Sequence, residues 1–107
     1  MNYKAGVFVD KKINEIKVSK DSKVRVLGTV VSKIDKSLFI DDGTGTVQVI
    51  GSSDIIKDVK ENQLVRVFGR VIPASNGFDI YAEIIQDMTN LNIKLYSTVM
   101  NYYTKLA

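Results

Sequence analysis

Asp41-Asp42-Gly43-Thr44-Gly45 separates two short apolar segments, Ser37-Leu38-Phe39-Ile40 and Thr46-Val47-Gln48-Val49-Ile50. Acids and glycines together suit a tight turn. Carboxylates accept hydrogen bonds from nearby backbone N–H groups, and glycine takes φ > 0 without a Cβ clash. Successive strand residues face opposite sides, so Leu38 and Ile40 share a face with Val47 and Val49, leaving Phe39, Gln48 and Ile50 on the other. The stretch predicts a β-hairpin. Asp41 and Asp42 are adjacent and point apart, so they are turn-capping residues rather than a metal or acid–base pair.

Upstream, Val24, Val26 and Val30 alternate with Arg25 and Thr29, which makes Lys23 to Lys33 one long strand. Gly28 in its middle marks a bulge or bend, as the first strand of a small closed barrel requires. Val7-Phe8-Val9 and Ile13 to Val18 read as an N-terminal strand or arm, and Asp21-Ser22 as a turn. Downstream, Ser52-Ser53-Asp54 caps a short helical turn over Ile55, Ile56 and Val59. Leu64 to Ile72 is a fourth strand, and it repeats the first: Val-Arg-Val-x-Gly-x-Val occupies 24–30 and again 65–71. Two strands bending at equivalent barrel corners account for the repeat. Pro73 to Gly77 is a turn and Phe78 to Ile85 the fifth strand.

The period changes at Asp87-Met88-Thr89-Asn90. Thr89 or Asn90 is a suitable N-cap, and Leu91 to Leu106 contains neither glycine nor proline. At helical spacing Leu91, Leu95, Val99, Tyr102 and Leu106 form one stripe, with Ile93, Tyr96, Met100 and Tyr103 on the adjoining face. One barrel does not easily cover both stripes, so one is expected to meet a partner; which one is open, and Val7, Phe8 and Val9 are the competing intramolecular cover.

The chain of 107 residues is expected to be a single domain, a barrel over about 7–86 and a helix over about 90–106. It has no cysteine and no histidine, so disulfides, thiolate zinc ligands and the commonest general base are unavailable. Ser52 and Ser53 lack an activating base, and Gly43-Thr44-Gly45 lacks the Gly-Lys-Ser/Thr end of a P-loop. The expectation is a non-enzyme without metal or cofactor. No apolar run approaches a membrane span and Met1 to Lys4 carries no apolar signal core, which predicts an intracellular protein: cytoplasm or nucleoid in a prokaryote, nucleus in a eukaryote. The net charge of +3 is modest, but Lys11, Lys12, Lys17, Lys20, Lys23, Arg25, Lys33 and Lys36 crowd the first third.

Five strands, the Ile-Asp-Asp-Gly-Thr-Gly hairpin, the Leu64-Val-Arg-Val-Phe-Gly-Arg-Val71 strand and the Gln86-Asp-Met-Thr-Asn90 helix entry together resemble the oligonucleotide-binding (OB) domain of the middle subunit of replication protein A, over roughly residues 7 to 106. The resemblance implies an all-β fold with a C-terminal helix, a five-stranded closed OB barrel. It also implies single-stranded DNA as ligand, in replication and repair, and a last helix that joins larger OB-fold subunits or a second copy. The family's phosphorylatable N-terminal tail and C-terminal winged-helix domain have no counterpart in this sequence, so regulation through them is not implied.

Single-strand binders combine basic grooves with aromatic faces on which bases stack. Phe39 is the leading stacking candidate, against packing under a loop or the N-terminal arm. Tyr81 alternates away from Ile80 and Ala82 and is the second; Phe78 divides between core and ligand. Gln48 and Ile50 share the outward face, and where Ile50 stands the resembled family carries a stacking tryptophan, which implies weaker binding here. Arg25, Lys33, Arg66 and Arg70 are candidate phosphate contacts, each also readable as a solvated strand-face charge. Two other functions stay open: an assembly module with little nucleic-acid binding, and an RNA-binding OB domain.

Overall fold

The computed structural model describes residues 7–89, and the helix expected over 90–106, with both its stripes, lies outside them. Six strands and one short helix follow one another: β1 (Val9–Asp10), β2 (Lys23–Ile34), β3 (Ser37–Asp41), β4 (Thr46–Ile50), α1 (Ser53–Ile56), β5 (Leu64–Ala74) and β6 (Gly77–Asp87). Pairing runs β2-β3-β4-β6-β5 and returns to β2, so five strands close a barrel, as the sequence predicts. Only β4–β6 is parallel within the ring; β1 adds a two-residue parallel rung outside it. Among the described residues no helix is long and apolar enough to cross a membrane.

The period-two valines explain the core. Val24, Val26, Val30, Leu38, Ile40, Val49, Val65, Val67 and Ile80 are buried within the barrel, each burial contributing about 1.5–3 kcal/mol. The repeated segments pair with each other: Val26 stands opposite Val67, so that Val24 faces Gly69 and Gly28 faces Val65. At each glycine the strand presses against its other neighbour. A Cβ on Gly28 would lie 2.9 Å from the Asp41 carbonyl oxygen, and one on Gly69 would lie 2.5 Å from that of Tyr81. Both positions are barrel corners, as expected from the repeat.

Three details decide between the sequence readings or depart from them. Of strand or arm, Ile13 to Val18 takes the arm; Ile13–Glu15 is a single 3-10 turn, and Ile13 and Ile16 are buried in the core. Their spacing of three is a helical spacing, and it puts both side chains on one side of the turn. Pro73 lies inside β5 rather than in the turn, which is Ser75-Asn76. The last bond to the β2 side is from the Val71 N–H to the Ser22 carbonyl, and beyond it β5 pairs with β6 alone, so a residue without an N–H is tolerated at Pro73. Finally, Ser52 begins α1 without a side-chain capping bond.

Candidate nucleic-acid interface

The quoted turn forms as expected, with Gly43 at φ 91°. Asp41 Oδ1 accepts from the Gly43 N–H at 2.7 Å, and Asp42 Oδ1 accepts from the Thr44 N–H at 2.8 Å and the Thr44 hydroxyl at 2.6 Å. The turn also receives the N-terminal arm. Asp42 Oδ2 accepts from the Ile13 N–H at 2.8 Å, and Thr44 Oγ1 accepts from the Asn14 N–H at 3.2 Å. This cluster fastens buried Ile13 over the barrel and leaves its carboxylates engaged.

The outward residues of β3, β4, β6 and β5 line up in register. Ser37 pairs with Ile50, Ile50 with Tyr81, Tyr81 with Arg70 and Arg70 with Lys23, so one row crosses every strand of the barrel. Beside it Ser32, Phe39 and Gln48 form a second row. Phe39, Gln48, Ile50 and Tyr81 are each half-buried, which leaves part of each side chain to solvent. Gln48 Nε2 donates to Ser37 Oγ at 3.1 Å, tying the two rows together. The Arg70 guanidinium sits 5.5 Å from the Tyr81 ring centre, within cation–π range.

Of the candidate cations, Arg70 joins this surface and the others do not. Arg25 faces Phe68 on the next strand and makes two bonds of 2.9 Å with the Asp10 carboxylate, which anchors β1. Arg66 stands between Leu27 and Gln86, away from the aromatic rows. Lys33 turns out of line because of a bulge. Thr29 and Val30 pair with Asp41 and Ile40, but Ser32 pairs with Phe39, so Val31 is an extra residue. The alternation slips by one and places Lys33 opposite buried Leu38. Its ammonium donates to the Lys57 and Val59 carbonyls at 2.9 and 2.8 Å, closing the segment after α1.

Sequence reasoning missed Glu83 and the site role of Lys23. Glu83 Oε2 lies 3.3 Å from Arg70 Nε, and its Oε1 lies 3.6 Å from Lys23 Nζ. Glu83 alternates with Tyr81 and so belongs to the same face, a signal available in the sequence. A further groove of about 410 Å³ runs between α1 and β6, with Asp54, Asp58, Glu83 and Asp87 among its lining and no Lys or Arg. That sign of charge does not suit a phosphate. Asp87 is held below the ordinary carboxylate value by bonds from the Thr89 hydroxyl and N–H and from Gln63.

The model of the family described as replication factor A protein 3 matches residues 4–107. The chain belongs to this family. The replication-protein-A resemblance therefore holds, and the subunit whose model matches is protein 3, where the sequence motifs were set beside the middle subunit. No curated protein matches the chain. Among solved structures it is similar to a chain of the S. pombe Stn1–Ten1 complex (23% identity, 94% of this chain and 95% of that one, TM-score 0.73). It is similar also to a chain of a replication protein A heterotrimer bound to single-stranded DNA (19%, 79% and 72%, TM-score 0.62). A third is the second OB-fold domain of replication protein A from Methanococcus maripaludis (22%, 75% and 95%, TM-score 0.62). At these identities the likenesses establish the fold, an OB barrel.

Proposed function

We propose that this protein is a non-catalytic subunit of a replication-protein-A-like complex that holds single-stranded DNA in replication and repair, inside the compartment that contains the DNA. In this reading its own barrel contributes a short, weak contact. The observation that carries it is the register of the outer face, which brings Phe39 and Gln48 beside Ile50, Tyr81 and Arg70 across adjacent strands. The face made by the second and third strands of an OB barrel, here β3 and β4, is where such folds take oligonucleotides. Family membership over nearly the whole chain supports the complex; a similar heterotrimer is bound to single-stranded DNA. The turns that flank the face, Asp35-Lys36 and Ser75-Asn76, are two residues each, which fits a footprint of a few nucleotides.

The partners in this reading are larger OB-fold subunits, met through 91–106, whose two apolar stripes (Ile93, Tyr96, Met100 and Tyr103; Leu91, Leu95, Val99, Tyr102 and Leu106) are a sequence argument alone. One observation favours the second reading, an assembly module: Arg25, Lys33 and Arg70 all have internal partners, and Ile50 offers area without a π-face.

Titrating labelled single-stranded DNA, the matching duplex and single-stranded RNA against the full chain separates the readings. The expected order is single-stranded DNA first, with affinity falling steeply as salt rises. Phe39→Ala weakens binding by about 1–3 kcal/mol if a base stacks there. No single-strand binding at low salt leaves the assembly module, and a preference for RNA leaves an RNA-binding domain.

A further inference from the structure

β6 contains a second bulge, at Glu83, on the face that Tyr81 shares. Ile84 pairs with Phe68 and Ala82 with Gly69, so Glu83 has no partner on β5. Bulges bend a strand and re-aim a side chain. The Glu83 carboxylate reaches two cations on two other strands, Arg70 at 3.3 Å and Lys23 at 3.6 Å. Those cations are register partners of each other, and Arg70 is the register partner of Tyr81. Neighbouring strands lie about 4.8 Å apart, so the pair of cations stands one to two strand spacings from the Tyr81 ring.

We propose that Arg70 and Lys23 form a phosphate subsite for a single DNA strand whose base stacks on Tyr81, and that the Glu83 carboxylate occupies this subsite until a backbone phosphate displaces it. The proposal rests on the single-strand reading above and adds to it a specific site and a built-in competitor. A guanidinium binds carboxylate and phosphate through the same donors, so Glu83 marks where an anion fits. The Arg70 half of the pairing is displaceable because it is solvated: the Arg70 side chain is 55% exposed and that of Glu83 34%, while that of Lys23 is 22% exposed. Ion pairs so placed contribute little stability. Arg25 and Asp10 show the contrast. Their two bonds of 2.9 Å tie β1 to β2, and a phosphate would have to break both.

The test compares Glu83→Gln, Asp54→Asn and the parent, all as full chains, by fluorescence anisotropy on a labelled oligothymidylate over a range of salt. Asp54 is an exposed carboxylate of the α1–β6 groove that Glu83 also lines, and its amide removes the same charge there while leaving the Glu83 pairing in place. Glu83→Gln is expected to tighten binding about 3- to 10-fold at low salt. It should also steepen the log–log salt dependence by roughly 0.7–1.4, the release from one or two added phosphate contacts. Asp54→Asn should leave both nearly unchanged, and Arg70→Ala added to Glu83→Gln should remove the gain. If Glu83→Gln folds normally but binds like the parent, or if Asp54→Asn gains as much, the subsite is overturned while a Phe39-dependent parent keeps the single-strand reading intact. If neither parent nor Glu83→Gln binds at low salt, both proposals fall.

Discussion

The Asp41–Gly45 turn and the outward row over β3, β4, β6 and β5 are both rich in polar groups, and they use them in opposite ways. In the turn, both carboxylates are spent on the chain itself, on Gly43, Thr44, Thr46 and Ile13. In the row, the side chains are half-buried and the one candidate cation is held by a solvated carboxylate. The family-marking motif is thus a fastener, and the surface able to meet a ligand carries no conspicuous motif. Polar residues mark a site only where their bonds to the rest of the protein are weak.

The largest effect that tests this contrast is on the turn. Asp42→Ala is expected to lower unfolding free energy by about 1.5–3 kcal/mol, because a charged acceptor is lost and the part-buried Ile13 N–H loses its partner. Denaturant unfolding measures that, and affinity for single-stranded DNA should stay within twofold. Should Asp42→Ala weaken binding as strongly as Phe39→Ala, the turn is a ligand site and the contrast is broken. On the row the expected change is smaller and of opposite kind: Ile50→Trp adds a π-face beside Tyr81 and tightens single-strand binding by about 1 kcal/mol. Its melting temperature should barely move, since Ile50 is only half-buried on the outer face.

The smallest effect comes from Asp87, an exposed carboxylate with local partners like those in the turn. Its value is depressed below the ordinary 3.8 in the folded chain. Its stabilisation is therefore complete above 3.8 and is lost as pH falls through the depressed value. Asp87→Asn should melt slightly lower than the parent at neutral pH, and the gap should close as pH drops below 3.8. A gap that persists at low pH would mean that packing, not the charge, is what Asp87 supplies.

Much of the barrel was legible because valines at period two and two glycine-centred repeats are local signals. The repeat even pointed to equivalent corners, and the structure adds that the two copies pair around Val26 and Val67. What escaped was decided between strands. The bulges at Val31 and Glu83 follow from how β2 meets β3 and how β5 meets β6, and the sequence announces neither, although alternation with Tyr81 does put Glu83 on the outer face. The first moved Lys33 from the ligand face to a structural role. The second leaves Glu83 without a partner on β5, beside Arg70. The 3-10 turn was recoverable, since Ile13 and Ile16 stand three apart, a helical spacing that favours the arm over the strand.

The pairing of the two repeats has a kinetic consequence. Every other antiparallel contact in the ring joins strands that follow directly in sequence through a short turn, whereas Val26 meets Val67 only after β3, β4 and α1 have been laid down. Contacts between distant segments carry the loop-closure entropy that slows folding. The ring is thus a three-stranded meander, β2 through β4, and a hairpin, β5 with β6, joined through β4–β6 and along a β2–β5 seam whose two lips carry the same sequence pattern. In amide hydrogen exchange, the seam amides of β2 and β5 report the opening of the whole barrel, and the hairpin turns report only themselves.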